Sequence, residues 1–301
     1  MISIIIPVTE GRKYLEETIK SCLEQTYNDI EIVVIARDDA PYTVQLPQIK
    51  TVTYSKNESI IKGYNEAIKV VSGDYIAFLQ AGDVAVPNRL QIQMEAIQKE
   101  ATTVLVCSDM SGIDQTGVEL YASYCSKYRI KVHEEEQTKQ LVQTNFVSAS
   151  TIMMKSIIKD SVFPIPEDLP YEDWWIGVIA SLYGKIHFIH QPLVKHLEQP
   201  EESYPLGRRR DYVKERVAIA ASNSLYYKAF ADYFRKGKHH YLAVIQPMEL
   251  RDTLMSTYAL NKRLSYYYSE RTYMCRRKIR RQEKLKIQAY LWLGPYLLLM
   301  K

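Results

Sequence analysis

The sequence predicts an α/β fold: a mostly parallel sheet flanked by helices, followed by a helical C-terminal extension. Short apolar, β-branched runs alternate with segments whose apolar residues recur at helical spacing, a pattern typical of parallel strands joined by helical crossovers. The chain has 301 residues and is 47% hydrophobic and 25% charged. This composition indicates a folded globular core rather than a disordered chain.

The individual elements follow from apolar runs bounded by turn residues and from helical periodicity. Strands are expected at Ile2–Ile6, Ile30–Ile35, Thr51–Tyr54, Tyr75–Leu79, Thr103–Cys107 and Lys185–Ile189. Helices are expected at Glu10–Gln25, Ser59–Val71, Asn88–Lys99 and Arg208–Tyr233. We therefore predict a sheet domain over residues 1–205 and a helical C-terminal region over residues 206–301.

The central strand, Tyr75–Leu79, leads into a turn that ends in one acid, Asp83. In α/β sheets, ligands bind beyond the carboxyl ends of the strands. Hard cations such as Mg²⁺ bind carboxylate oxygen and often share their shell with substrate phosphates. This position predicts a metal and a phosphate beside Asp83. The alternative is a simple turn, in which Gly and Asp are common.

Several stretches occur in a characteristic order and spacing: IIIPVTEG at residues 4–11, Asn57 with Asn65, SGDYIAFLQAGD at residues 72–83, and LPYEDWW at residues 169–175. By these stretches, residues 1–195 resemble an inverting glycosyltransferase of family 2 with the GT-A fold. In this family the sheet binds a nucleotide-sugar, usually a uridine diphosphate sugar. A short acidic motif holds the metal, and a later Glu-Asp pair supplies the base.

The resemblance implies roles in chemistry for two groups of residues. Asp173, with Glu172, is expected to deprotonate the acceptor hydroxyl as a general base. Trp174 and Trp175 are expected to shield this carboxylate, which would raise its pKa, and to offer the acceptor sugar an apolar platform. The alternative is that the two acids only begin a helix, where acids favour the helix dipole.

The metal and the donor are assigned in the same way. Asp83 is expected to hold Mn²⁺ or Mg²⁺, with His196 as a contact to the metal or to the diphosphate. Donor-binding residues are expected at Pro7, Thr9, Glu10, Asp38, Asp39, Asn57, Lys62 and Asn65. One of the two asparagines has an alternative role as a helix cap.

The sequence departs from the family pattern in its acidic motif and in two strand ends. The family motif Leu-Asp-x-Asp-Asp is replaced by Leu79-Gln80-Ala81-Gly82-Asp83, so only the last acid remains. The second strand ends in Ala36-Arg37 where the family has an acid that recognises the base, and Asp38-Asp39 follow two places later. The first strand ends in Pro7-Val8-Thr9-Glu10 instead of Pro-x-Tyr-Asn.

The excess of positive charge in this chain is concentrated near its C-terminus. The segment Arg276–Lys286 carries seven Lys or Arg residues and one acid, and the apolar, aromatic run Ala289–Met300 follows it. This combination predicts a tail lying in a membrane interface, on the inner face of the cell membrane of a cytoplasmic protein. The alternative is a helix packed on the body. No nucleic-acid-binding motif accompanies the basic run.

The expected function is metal-dependent transfer of a sugar from a nucleotide-diphosphate donor to a lipid-linked or cell-surface polysaccharide precursor. The alternative is a non-catalytic relative that assists an active transferase, because Gln80 and Gly82 replace two acids. The presence of both Asp83 and Asp173 favours the enzyme. The sequence is also compatible with a homodimer or with a complex with a partner glycosyltransferase.

Overall fold

The computed structural model describes residues 1–8, 14–42, 46–198 and 209–237, the last of these with side chains from residue 221. Its strands are β1 (Ile2–Pro7), β2 (Ile30–Arg37), β3 (Ile49–Tyr54), β4 (Tyr75–Phe78), β5 (Val84–Ala85), β6 (Thr103–Ile113), β7 (Glu119–Tyr121), β8 (Met153–Lys155) and β9 (Lys185–Leu197). Its α-helices are α1 (Leu15–Leu23), α2 (Ile60–Ala67), α3 (Arg89–Lys99), α4 (Tyr124–Tyr128), α5 (Gln137–Leu141), α6 (Lys159–Val162), α7 (Asp173–Ala180) and α8 (Arg209–Gly237).

The strands form one sheet in the order β3-β2-β1-β4-β8-β6-β9-β5, and β7 pairs with β6 off this path. The strands β3, β2, β1 and β4 are parallel to one another, as are β6 and β9. Strand β8 joins the two halves by antiparallel pairing with β4 and β6. The predicted α/β class is therefore confirmed.

The strands β6 and β9 are longer than the sequence predicts. They pair in parallel from Thr103 to Ile113, and register shifts near Asp109 allow the pairing to continue past Pro192. Proline cannot donate a ladder hydrogen bond, so the sequence indicates a break at this point. The end of β9 also pairs with the short strand β5, with Lys195 opposite Val84. This pairing brings the end of β9 beside the turn that follows β4.

Helices cover both faces of the parallel strands. On one face, Ile4 of β1 lies in a buried cluster with Leu15 of α1 and Leu90 of α3. On the other face, Tyr64 of α2 packs against Phe78 of β4 with 6.1 Å between ring centroids. Strands buried on both faces have continuous apolar sequences, which is why these strands could be recognised.

The chain divides into two compact units. One contains Met1–Pro205 with Leu225–Pro247, and the other contains Leu206–Ser224 with Met248–Lys301. The basic tail and the helices expected after residue 237 lie outside the described residues, so the C-terminal region stays a prediction. Within the described part of the chain, no helix is long and apolar enough to cross a membrane.

Candidate functional site

The parallel strands bring several predicted residues to one edge of the sheet. The strands β1, β2 and β4 run in the same direction, so their carboxyl ends lie side by side. Pro7 ends β1, the exposed acids Asp38 and Asp39 follow β2, and the loop Gln80–Asp83 follows β4. This is the edge at which ligands bind in open α/β sheets.

Asp83 is buried at this edge and meets His196 from β9. The side chain of Asp83 is 4% exposed, and its Oδ1 lies 2.9 Å from Nδ1 of His196, whose side chain is 19% exposed. The backbone N–H of Leu197 donates to the same oxygen at 3.0 Å. The hydroxyl of Ser150 donates to the other oxygen, Oδ2. The structure thus brings the two predicted metal residues together and holds the carboxylate from three sides.

The turn before Asp83 has a conformation that requires glycine. Gly82 has φ +110°, and a Cβ atom at this position would lie 3.0 Å from Cδ2 of Leu197. The hydroxyl of Thr18 fixes the turn by accepting from the Gly82 N–H at 2.9 Å and donating to the Asp83 carbonyl at 2.8 Å. An acid at residue 82, as in the family motif, would be strained in this backbone conformation.

Glu172 and Asp173 lie at the start of α7 but in different environments. Glu172 is buried and accepts a hydrogen bond from the Tyr64 hydroxyl at 2.6 Å, whereas Asp173 is partly exposed. Burial raises the pKa of Glu172, against the effect of the Tyr64 hydrogen bond. Burial and the neighbouring Glu172 charge raise the pKa of Asp173 to about 7. A partly exposed carboxylate with this pKa suits a general base near neutral pH.

A short 3₁₀ turn, Ala149–Thr151, lies between the two acids. Its Ser150 hydroxyl accepts from the Gln80 N–H at 3.0 Å while it donates to Asp83. The backbone amide of Ala149 interacts with the Asp173 carboxylate and favours its ionised form. Sequence reasoning did not single out this turn, because one serine among the several in this stretch has no distinguishing pattern.

A buried arginine supports this turn from the core. Arg89 is 1% exposed, and its Nη2 donates to the carbonyls of Phe78 at 2.9 Å and Ile152 at 3.3 Å. Its Nε donates to Gln93 at 3.0 Å, and Gln93 in turn donates to the Thr151 carbonyl at 2.7 Å. Burial lowers the pKa of Arg89 to about 10, which leaves the guanidinium charged at neutral pH. Sequence reasoning missed this residue as well.

The remaining predicted donor residues have varied surroundings. Asn57 is exposed, and Lys62 forms an ion pair with Glu167 at 3.4 Å. Asn65 is buried, and its amide exchanges two hydrogen bonds with the backbone of Ile165, at 2.8 and 2.9 Å. Asn65 therefore joins α2 to the segment before α7 instead of presenting its amide at the surface. Thr9 and Glu10 lie outside the described residues.

The expectation of an exposed tryptophan platform needs correction. Trp174 is 7% exposed and Trp175 is 4% exposed. Their indole N–H groups donate to the backbone carbonyls of Leu141 at 2.6 Å and Val162 at 2.7 Å. Phe230 of α8 stacks on Trp175 with 5.8 Å between ring centroids. Both tryptophans are thus core residues that hold α7 in place, and they do not offer a ring to a sugar.

Comparison with known proteins gives the family. The sequence pattern of the family described as glycosyl transferase family 2 matches residues 3–161. The chain belongs to glycosyl transferase family 2. An uncharacterized glycosyltransferase of Rickettsia prowazekii is 29% identical over 205 residues, which cover 65% of this chain and 63% of that protein. An uncharacterized glycosyltransferase of Methanocaldococcus jannaschii is 27% identical over 218 residues, covering 68% of this chain and 73% of that protein. The predicted enzyme class, glycosyltransferase, is thereby confirmed.

Solved structures show the same fold. Crystal structures of S. aureus TarS 1-349 include one with a TM-score of 0.53 and 18% identity, covering 97% of this chain and 78% of that chain. Another, in complex with UDP-GlcNAc, has a TM-score of 0.51 and 18% identity, covering 83% of this chain and 79% of that chain. The predicted GT-A fold class is confirmed by this likeness. The match to the Rickettsia prowazekii relative spans just under two thirds of that protein, 63%.

Proposed function

We propose that this glycosyltransferase moves a sugar from a nucleotide-diphosphate donor, a UDP-sugar, to an acceptor hydroxyl by a metal-dependent, inverting displacement. The observation that carries the proposal is the placement of Asp83 with His196 and of Asp173 on two sides of the turn Ala149–Thr151. An inverting displacement needs charge stabilisation at the leaving diphosphate and a base at the acceptor. The two carboxylates supply these two functions.

The donor set at Asp83 fits one divalent cation. Among the described residues, no group of three or more His, Cys, Asp and Glu side chains is placed to hold a metal. Asp83 Oδ1 and His196 Nδ1 form a hydrogen bond at 2.9 Å. Two adjacent ligands of an octahedral ion at about 2.1 Å lie roughly 3 Å apart, so a cation could replace the shared proton without a large movement of either side chain. Mg²⁺ and Mn²⁺ suit oxygen-rich sites, and Mg²⁺ is often bound by one or two carboxylates with substrate phosphates. When bound, such a metal would stabilise the negative charge that develops on the diphosphate.

Asp173 takes the proton of the acceptor hydroxyl in this proposal. Its carboxylate is partly exposed, whereas Glu172 is buried against Tyr64 and has no comparable access to an acceptor. Glu172 then acts on the reaction through its neighbour, because its charge raises the pKa of Asp173. The difference in burial and the charge of Glu172 together support this division of roles within the Glu-Asp pair.

The proposal is tested with a panel of nucleotide-sugars that begins with UDP-GlcNAc and includes other UDP-sugars, each with and without Mn²⁺ or Mg²⁺. Calorimetry measures UDP binding, and a coupled assay measures UDP release. Asp83→Asn is expected to remove the metal-dependent part of UDP binding. Asp173→Asn is expected to preserve UDP binding and lower turnover by about 10²–10⁴-fold, as for a lost general base.

Asp109→Asn is a matched control for the variants. As a whole residue, Asp109 is 4% exposed and Asp83 is 3% exposed, and the Asp109 carboxylate also accepts from a serine hydroxyl and from backbone N–H groups. This control shares the cost of altering a buried aspartate, but its carboxylate hydrogen bonds go to Met110, Ser123 and Cys125. Metal-dependent UDP binding that Asp83→Asn leaves intact would remove the metal role, and near-normal turnover of Asp173→Asn would remove the base.

We further propose that the acceptor is a lipid-linked or cell-surface polysaccharide precursor and that the protein works on the inner face of the cell membrane. The support is the basic, aromatic sequence of residues 276–301, which lies outside the described residues. A vesicle sedimentation assay of the full chain with anionic lipid tests this, and binding is expected to weaken in high salt. The alternative role as a non-catalytic partner is favoured if no nucleotide-sugar of the panel binds.

A further inference from the structure

We propose that Ser150 is a positioning residue for the metal site: its hydroxyl fixes the carboxylate of Asp83 and the backbone of Gln80, and its turn ties Asp83 to Asp173. The inference rests on the proposed metal role of Asp83. Ser150 is 1% exposed and so cannot take part in binding as a surface group. Its value to the reaction is the geometry that it imposes on its neighbours.

The hydroxyl of Ser150 joins two points of the altered acidic motif. It accepts from the backbone N–H of Gln80 at 3.0 Å, and it donates to Oδ2 of Asp83. The first point is where the family has an acid, and the second is the one acid that remains. With both oxygens of Asp83 held, Oδ2 by Ser150 and Oδ1 by Leu197, the carboxylate has little freedom to rotate. A single carboxylate that must hold a cation without other acids benefits from such fixation.

The backbone around Ser150 is itself fixed from the core. Gln93 donates to the Thr151 carbonyl at 2.7 Å, and Arg89 donates to the Ile152 carbonyl at 3.3 Å. Gln93 is 0% exposed and Arg89 is 1% exposed, so solvent does not compete for these hydrogen bonds. These hydrogen bonds restrain the backbone of the turn, so the Ser150 hydroxyl holds a constant position relative to Asp83.

The turn also touches the base. The amide of Ala149, next to Ser150, interacts with the Asp173 carboxylate. Adjacent residues of one short turn therefore contact both the proposed metal ligand and the proposed base. Hydrogen-bond partners of metal ligands commonly change metal affinity or activity by about 10–100-fold when removed.

The test compares Ser150→Ala and Ser150→Gly with Ser148→Ala. Both Ser150 variants delete the hydroxyl, and the glycine form serves if the alanine form folds poorly. Ser148→Ala deletes a hydroxyl from the same segment whose partner is the sulfur of Met110, at 3.7 Å. Calorimetry of Mn²⁺ with the UDP complex is expected to show about 10–100-fold weaker metal binding for either Ser150 variant. Ser148→Ala should bind Mn²⁺ as the wild type does.

Turnover of UDP-GlcNAc, or of the donor found in the panel, supplies the second measurement. The Ser150 variants should lose kcat at subsaturating Mn²⁺ and recover much of it when Mn²⁺ is raised. Wild-type Mn²⁺ affinity in a folded Ser150 variant overturns the inference and leaves the proposed function standing. An equal loss in Ser148→Ala also overturns it, because the effect is then one of general packing. A wild type without metal-dependent UDP binding removes the metal role of Asp83 and this inference together.

Discussion

The dependence of turnover on pH is the sharpest prediction of the proposed base. Asp173 must be ionised to accept a proton, and burial together with the charge of Glu172 raises its pKa to about 7. A base with this pKa is about 50% ionised at pH 7 and about 10% ionised at pH 6. We therefore expect kcat/KM to fall about fivefold from pH 7 to pH 6, with an acid limb centred near pH 7.

Replacing Glu172 should move this limb in a defined direction. The titratable groups that face Asp173 are Glu172 from the same turn, Tyr64 from α2 and Tyr226 from α8. Glu172→Gln removes the neighbouring negative charge, so the pKa of Asp173 should fall and the acid limb should move to lower pH. The variant also keeps an oxygen that can accept from the Tyr64 hydroxyl, so the start of α7 should be preserved.

The assay is UDP release over pH 5.5–8.5 in buffers of constant ionic strength, with donor well below its KM so that the profile reports the free enzyme. Glu31→Gln is a matched control, because Glu31 is 6% exposed and has hydrogen-bond partners remote from the site, including Ser3 and Ser72. It should lower stability without moving the limb. A flat wild-type profile between pH 5.5 and 7.5, or a limb that Glu172→Gln shifts to higher pH, would refute the reasoning.

Four further outcomes are expected. Asp173→Asn should raise the free energy of unfolding at pH 7.5 by about 1–2 kcal/mol, because the folded protein ionises Asp173 at a pKa of about 7 and the unfolded chain does so near 4. This difference costs the folded state at most about 4 kcal/mol, which partial exposure reduces, and the gain should vanish toward pH 4. Urea unfolding at the two pH values measures the gain, and a loss of stability at pH 7.5 contradicts it. Tyr64→Phe leaves the buried Glu172 without its donor and should cost about 1–3 kcal/mol in the same assay, whereas an unchanged urea midpoint would show that this hydrogen bond contributes nothing. Arg89→Met leaves buried carbonyls without donors and should lower stability by about 2–4 kcal/mol, so a wild-type melting temperature would contradict the support that we assign to it. Gly82→Ala should lower Mn²⁺-dependent UDP binding in calorimetry through a strain of about 1–3 kcal/mol and the contact with Leu197, whereas Gly117→Ala, at φ +82° with no atom within 4 Å of its Cβ, should leave that binding unchanged.

The fold was predictable because its main signals are local. Strands such as β1 and β2 are continuous β-branched runs buried on both faces, and α2 has its apolar residues on one side. What the local pattern could not give was the second half of β9. Pro192 predicts the end of a strand, whereas the pairing with β6 shows that the strand continues through His196.

The acids to which we assign the chemistry could be chosen from the sequence, whereas the residues that contact them could not. Asp83 follows the central strand, and the family resemblance singles out both Asp83 and Asp173; their roles stay predictions. Ser150 and Arg89 act through contacts with residues distant in sequence, and neither belongs to a motif. The burial of Trp174 and Trp175 was missed for a related reason, since the aromatic side chains of α8 that cover them lie more than 50 residues further along the chain.

The aromatic side chains of α8 that pack on α7 limit how far this enzyme can be truncated. Tyr226, Phe230 and Tyr233 lie on the part of α8 that belongs to the same compact unit as the sheet, and they pack on the two tryptophans that follow Asp173. A chain cut at residue 205 would keep every acid of the site, yet it would expose two indole rings to water. Loss of the cover costs about 1.5–3 kcal/mol for each large apolar side chain that becomes fully exposed. We therefore expect the smallest autonomous catalytic unit to extend at least to Tyr233.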